Sequence, residues 1–254
     1  MYRGVDLKIT FSDARIWRYI MSAAGKFVEM GILRIDDSGL VFKAMDPSRT
    51  SLIEFIIPRE AFDEFEVDGE HLLPLNINDV SKVLKTAERD DRIGIEWSAS
   101  TITFIFERRG VPRFFTLPLQ RETLAEEIPE LSIDYRNSYR IAGPVLYEAI
   151  DGLEGVGEVL RVEGDERVLK LRSVSDLGEA EIVLDLDGGT LEEALVEKPG
   201  FSVMYGMEYF SYMKQPIKLS DFVVLRADSD MPCHLELNYV HGAKVNYYIA
   251  PRVE

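Results

Sequence analysis

Cysteine is almost missing from this sequence, with Cys233 its only thiol. One cysteine excludes an internal disulfide framework and any zinc cluster built on thiolates, and it fits a reducing compartment. Histidine is scarce too: His71, His234 and His241 are scattered, and none has a nucleophile or metal partner at a recognisable spacing. No apolar run approaches the roughly 20 residues of a spanning helix. The first ten residues carry Arg3, Asp6 and Lys8 where a signal peptide would need an unbroken apolar stretch, so a soluble intracellular chain without membrane association is expected. No Pro/Ser/Gly-rich tract occurs, and 46% of residues are hydrophobic, which reads as globular throughout. Basic residues are in deficit as well. Against 45 Asp and Glu stand 29 Lys and Arg, a net charge of −16 over 254 residues, which on average repels nucleic acid and anionic membranes.

What is present is a repeat. One plan occurs four times: a stretch with helical spacing, then two strand-like runs about a short polar turn. Residues 12–27 read as helix, and residues 32–35 and 40–44 as strands flanking Asp36-Asp37-Ser38-Gly39. The second copy places a helix over 76–89 and strands over 93–97 and 101–106. The third places a helix over 144–153 and strands over 158–162 and 168–172. The fourth places a helix over 206–215 and strands over 222–226 and 234–239, with a last strand over 245–249. Between copies two and three, residues 120–134 follow neither period, with Glu122, Glu126, Glu127 and Glu130 around Leu124, Ile128, Pro129 and Leu131. The sequence therefore predicts two similar halves, residues 1–119 and 135–254, joined by a connector over 120–134, each large enough for its own core.

The few basic residues are not evenly spread. At about 100° per residue, Ile77, Val80, Val83, Leu84 and Ala87 share one side of the second helix, and Lys82, Lys85 and Arg89 lie nearly opposite. In the first helix Ile16, Trp17, Ile20, Ala24 and Phe27 form the apolar arc, with Arg15, Arg18 and Lys26 on the far side. Two cationic faces in so acidic a chain point to a polyanion partner. Lys and Arg on a smooth helix reach phosphates and give affinity without base readout. The third helix exposes Glu148 and Asp151 and has no basic residue. In the fourth only Lys214 is basic, with Lys218 just beyond its end.

No catalytic constellation accompanies these faces. The chain has no G-x-x-x-x-G-K-[ST] loop, and Gly152, Gly155 and Gly157 follow a helix where a dinucleotide fingerprint would follow a strand, so they read as helix termination. Asp185 and Asp187 before Gly188-Gly189 lack the later ligands of a calcium loop and read as a hairpin turn. Cys233 and His234 fall on one strand, pointing to opposite faces. No catalytic residue, metal site or cofactor is expected.

Four segments in order give the chain a resemblance to the proliferating cell nuclear antigen family of sliding clamps. They are Lys43-Ala44-Met45-Asp46-Pro47-Ser48-Arg49-Thr50-Ser51-Leu52, Ile128-Pro129-Glu130, Tyr205-Gly206-Met207-Glu208-Tyr209, and Tyr247-Tyr248-Ile249-Ala250-Pro251-Arg252. The Met-Asp-Pro-Ser-Arg form and the Ala-Pro-Arg ending are more similar to archaeal members than to eukaryotic ones. The resemblance implies an α+β fold of two pseudo-equivalent clamp domains, each with two helix-plus-hairpin repeats, in a trimeric ring with helices inside and antiparallel sheets outside. It implies sequence-independent contact with double-stranded DNA through Arg15, Arg18, Lys82, Lys85, Arg89 and Lys214. It implies that DNA polymerase, flap endonuclease and DNA ligase dock a peptide into a pocket of Met45, Leu52, Ile128, Pro129, Pro232 and Tyr248, with backbone near Ala250 and Pro251 and a rim of Arg49 and Thr50, after a clamp loader closes the ring. Glu126 stands where the family is often apolar. The resemblance also implies a subunit interface at Phe114, Phe115, Ile182 and Leu184, on strands near 113–117 and 180–184. The ring is a homotrimer or a heterotrimer with paralogous subunits, and the compartment is the cytoplasm, on the nucleoid, for an archaeal chain or the nucleus for a eukaryotic one. A clamp-like scaffold in a heteromeric ring used mainly for repair is the alternative. A metal-dependent hydrolase built from the acid surplus is a third reading, which an activity assay with magnesium or manganese separates.

Overall fold

The computed structural model describes residues 8–120, 128, 131–176 and 178–252, which fall into two units. Most of the first unit lies between the N-terminus and Ile128. Its elements are β1 (Lys8–Phe11), α1 (Ala14–Ala24), β2 (Met30–Asp36), β3 (Gly39–Met45), β4 (Ser51–Pro58), β5 (Glu64–Glu66), β6 (His71–Asn76), α2 (Ile77–Leu84), β7 (Arg92–Trp97), β8 (Thr101–Arg108) and β9 (Val111–Pro118). One antiparallel sheet runs β5–β1–β7–β8–β9. A second set pairs β6 with β2 and β2 with β3. Residues Asp46–Ile53, which include the start of β4, belong to the second unit.

Alternation explains the strands. In β8, Ile102, Phe104 and Phe106 point inward and are fully buried, while Thr101, Thr103 and Ile105 are half-buried on the other face. Helix α1 buries Ile16, Trp17, Ile20 and Ala24 of the arc its sequence predicts, while Phe27, also expected there, lies past the helix end and is half-buried; Trp17 sits edge-on to Phe55 with ring centres 5.4 Å apart. Both helices are capped from the side chain that precedes them. Asp13 accepts the Arg15 N–H at 2.9 Å and Asn76 accepts the Asp79 N–H at 3.1 Å, each satisfying an orphan donor of the first turn. The helices pack on each other, and Ser81 Oγ donates to Ser22 Oγ at 3.3 Å. The β2–β3 turn is as tight as its residues predict. Asp36 pairs with Gly39, the Ser38 N–H donates to Asp36 Oδ1 at 2.9 Å, and Gly39 adopts φ +137 where a Cβ would stand 2.3 Å from the Ile57 carbonyl oxygen.

The second unit holds β10 (Asn137–Ala142), α3 (Gly143–Leu153), β11 (Val159–Gly164), β12 (Val168–Ser175), β13 (Gly178–Asp185), β14 (Glu193–Val196), β15 (Phe201–Gly206), α4 (Met207–Tyr212), α5 (Lys214–Leu219), β16 (Phe222–Arg226), β17 (Cys233–Asn238) and β18 (Lys244–Ile249). One sheet order is β14–β10–β16–β17–β18 and the other β13–β12–β11–β15, all antiparallel. Helix α3 packs against α5 as α1 packs against α2, so the helix pair recurs. That packing is close: a Cβ on Gly143 would meet the Ser220 carbonyl oxygen at 2.2 Å.

Several expectations change. The helix expected over 206–215 is two short helices that meet at Met213 (φ −90, ψ 0) and continue to Leu219. Pro216 is the cause, since its ring would collide with the Tyr212 carbonyl in a continuous helix, whereas the first turn of α5 accepts it. Lys218 therefore lies inside α5. Helix α2 stops at Leu84, so Arg89 stands beyond it, next to Asp90 at φ +68. Helix α3 includes Gly152 and ends on Glu154 in a right-handed conformation, without a glycine cap. The short strands β1, β5, β6, β10, β14 and β15, and β4, lie outside the helix-plus-hairpin pattern. Of the connector, Arg121–Glu127, Pro129 and Glu130 lie outside the described residues.

Candidate nucleic-acid and partner interfaces

In the first unit the two packed helices bring the expected cations to one neighbourhood, but not in one state. Arg15 is clasped by its own cap, with Nε 3.0 Å and Nη2 2.7 Å from the two Asp13 carboxylate oxygens, which raises its pKa further. Arg18 donates from Nη1 to the Ala87 carbonyl at 2.7 Å, tying α1 to the turn after α2. Lys82 is 73% exposed beside Asp79, Lys85 is exposed with no ion-pair partner among the described residues, and Arg89 is 83% exposed, 3.9 Å from Asp90. Exposed pairs of this kind hold within about 1 kcal/mol, so a phosphate competes with them readily.

The second unit differs. Lys214 is only 16% exposed and its Nζ is held by Asp151 at 2.6 Å and by Glu154. Burial pulls its pKa down, the two carboxylates push it up, and the carboxylates win. One cation shared between two anions offers a phosphate little. Glu148 is exposed on α3, and Lys218 lies over the Tyr147 ring at 4.2 Å.

The residues expected to form the peptide pocket are divided between the units. Met45 and Ile128 are half-buried in the first unit. In the second, Asp46 organises a turn. Its Oδ1 accepts the Ser51 N–H at 2.5 Å, its carbonyl accepts the Arg49 N–H at 2.9 Å, and Ser48 donates to its carboxylate. Arg49 is thereby left exposed at φ +58, and the Thr50 carbonyl accepts the Ala250 N–H at 2.7 Å. Leu52 is 4% exposed and can only floor a pocket. Tyr248 is half-buried and lies flat on His234, ring centres 4.3 Å apart and 6° from parallel. Tyr135 covers the imidazole from 5.9 Å and donates its hydroxyl to the Pro232 carbonyl at 3.0 Å. His234 also contacts Arg226 Nη1 through Nδ1 at 3.2 Å and Asn246 Oδ1 through Nε2 at 3.1 Å. Burial lowers its pKa to about 4, with Arg226 adding to the effect, so it is neutral at pH 7. Sequence reasoning missed His234 and Tyr135, because His234 reads alone as strand filler and Tyr135 as the residue just past the connector. Pro129 lies outside the described residues.

A cavity of about 940 Å³ opens in the second unit between α4, the turn after α3 and the C-terminal segment. Thr50, Ala250 and Pro251 reach it from the expected pocket; the rest of its lining was not expected. Glu154, Glu158 and Glu208 supply carboxylates, and Tyr209 and Tyr212 supply rings.

Strands β9 and β13 each run along a sheet edge. On β9 Phe114 is 60% exposed, while Phe115 is half-buried against Phe106 at 5.6 Å. On β13 Ile182 is half-buried, Leu184 is 3% exposed and faces the core, and Val183 is the apolar side chain turned outward. Leu184 thus supports the edge from within. Edge β9 is anchored at Asp91, whose side chain is fully buried. Arg113 reaches that carboxylate, Arg108 Nε stands 3.8 Å away, and the Glu88 N–H donates to it at 2.6 Å. The Asp91 carbonyl accepts the Ala14 N–H at 3.0 Å at the start of α1, and Arg113 also donates to the Thr86 carbonyl at 3.3 Å.

Residues 6–120 match a family described as proliferating cell nuclear antigen, N-terminal domain. DNA polymerase sliding clamp 3 of Aeropyrum pernix is 30% identical over 250 residues, covering 98% of this chain and 99% of its own length. DNA polymerase sliding clamp 1 of Pyrobaculum aerophilum is 30% identical over 97% of this chain and 98% of its own. Among solved structures, a PCNA2-PCNA3 complex from Sulfolobus tokodaii superposes with a TM-score of 0.88 at 27% identity, over 97% of this chain and all of the matched one. The PCNA of Thermococcus kodakaraensis gives 0.86 at 21% identity over the same shares, a likeness of fold.

Proposed function

The chain belongs to the proliferating cell nuclear antigen family, and on that footing we propose that it is a sliding clamp subunit that surrounds duplex DNA and tethers a polymerase and other replication and repair enzymes without chemistry of its own. One observation carries the DNA side. Within a net charge of −16, three exposed, weakly paired cations, Lys82, Lys85 and Arg89, stand together on and just past one helix. Such a face holds phosphates without reading bases, so a closed ring stays on DNA and still moves along it. Residues 1–119 and 135–254 would be the two clamp domains. The edges β9 and β13 would pair between subunits through Phe114 and Val183, and the surface of Thr50, Pro232, Tyr248, Ala250 and Pro251 would receive a partner peptide. The test is polymerase extension on a long primed template with a loader and ATP. Longer products with the chain present are expected, and no change with a loader proven on another clamp would end the proposal.

Lys214 favours a heteromeric ring over three copies of this chain. Its charge is consumed by Asp151 and Glu154, so the α3–α5 face offers DNA little cation of its own, and paralogous subunits would supply it. Light scattering of the purified chain decides between them: a monomer supports the heteromer and a trimer refutes it.

A further inference from the structure

The 940 Å³ cavity of the second unit has a composition that selects its occupant. Its volume falls within the range of ligand sites, about 300 to 1,000 Å³. Gly155, Gly157 and Gly206 keep its walls backbone-lined, and a Cβ on Gly155 would meet nothing within 4 Å, so an extended chain can lie against that wall. Tyr209 and Tyr212 stand edge to face with ring centres 6.0 Å apart, and the Tyr212 hydroxyl donates to Glu208 Oε2 at 2.9 Å, which aims that carboxylate. Of the three lining glutamates only Glu154 has a cation, the shared Lys214. No described cation lies within ion-pair distance of Glu158 or Glu208, although Arg252 is exposed at the rim. Two carboxylates without a cation beside two aromatic rings match an alkylammonium or guanidinium group, which gains an ion pair and a ring contact together. They repel phosphate, so nucleic acid is the wrong occupant.

We infer that this cavity is a docking subsite for a Lys- or Arg-bearing extended segment of a partner protein, with Glu158 and Glu208 reading the charge and Tyr209 and Tyr212 the side-chain stem. Its wall is continuous with Thr50, Ala250 and Pro251, so the segment would lie directly upstream or downstream of a peptide seated on that surface. This continuity rests on the docking reading above; the subsite itself does not. It gives the chain a partner preference, because a segment with acidic residues at that point is rejected by like charge.

The experiment uses the full-length ¹⁵N-labelled chain and three probes: acetyl-Lys-Arg-Lys-amide, acetyl-Glu-Ser-Glu-amide and magnesium chloride. The basic tripeptide is expected to shift the amide resonances of Gly155, Gly157 and Gly206, with no shift from the acidic one and binding about fivefold weaker in Glu158→Gln/Glu208→Gln. Both substituted side chains are exposed, so the variant folds and its remaining spectrum reports that directly. Equal shifts from magnesium chloride, shifts confined to other residues, or unchanged affinity in the variant would each overturn the inference. A longer peptide with an apolar helical turn, carrying either Lys-Arg-Lys or Ser-Gly-Ser beside it, then separates the two readings. If neither form binds while the tripeptide still shifts the three glycines, the docking surface fails and the subsite stands.

Discussion

His234 gives the sharpest quantitative handle on the second unit. In the folded chain its pKa is about 4 against an ordinary 6.5, because burial between Tyr135 and Tyr248 disfavours the cation. Arg226 and Lys244 push in the same direction, while the Asn246 bond and Glu236 push back. The folded state therefore binds fewer protons than the unfolded one between the two values. That part of the stability is complete above pH 6.5 and is lost progressively as the pH falls towards 4. Between pH 8 and pH 5.5 the loss is about 1.4 kcal/mol, one tenfold step in proton binding to the unfolded chain. At pH 5.5 the chain is still above its isoelectric point of about 4.7 and remains anionic. The assay is urea unfolding of the parent, His234→Gln and His234→Phe at both pH values. Both variants lose different contacts, and their absolute stabilities will differ, but neither titrates. Each should show a drop between the two pH values that is smaller than the parent's by about 1.4 kcal/mol, carboxylate contributions being common to all three. An identical pH dependence in parent and variants would refute the buried, neutral imidazole.

Two further outcomes follow from the first unit. Lys82→Ala/Lys85→Ala should flatten the dependence of log affinity for duplex DNA on log salt by about 2 for each subunit in contact, at about 0.9 per phosphate, with equal effects on unrelated sequences; an effect confined to one sequence would contradict phosphate contact. Asp91→Ala should cost about 2 to 3 kcal/mol in urea unfolding, below the usual toll of breaking a buried pair because Arg108 and Arg113 are 41% and 33% exposed and can return to water. A cost under about 0.5 kcal/mol would mean that the carboxylate anchors nothing.

The legible parts of the fold were those with period and punctuation in one short window. Helices α1 and α2 announced themselves through Ile16, Trp17, Ile20 and Val80, Leu84, and the β2–β3 turn through Asp36 to Gly39. Strand β10 did not, because only Tyr139 and Ile141 among its six residues mark a buried face, and the inward Asn137 reads as loop. The break at Met213 was written in Pro216, three residues later, but the apolar spacing across it reads as one helix. Sites assembled from distant segments were the least visible. The Lys214 pair joins residues 60 or more apart, His234 is covered by a tyrosine 99 positions earlier, and the cavity closes from four stretches of chain. The family resemblance pointed to Tyr248 and Ala250 as pocket residues but could not say that Lys214 is held by two carboxylates, since that depends on Asp151 and Glu154 in this chain.

The Asp91 anchor has a mechanical meaning. A sheet edge resists tension mainly along its ladder of backbone bonds, yet β9 is also moored through Arg113 to one buried carboxylate, whose own backbone carbonyl holds the first N–H of α1. Part of a force pulling β9 sideways is thus passed through Asp91 to the root of a helix. Peeling the edge and tilting that helix become one motion, and a molecule that levers the edge open would move the helix with it.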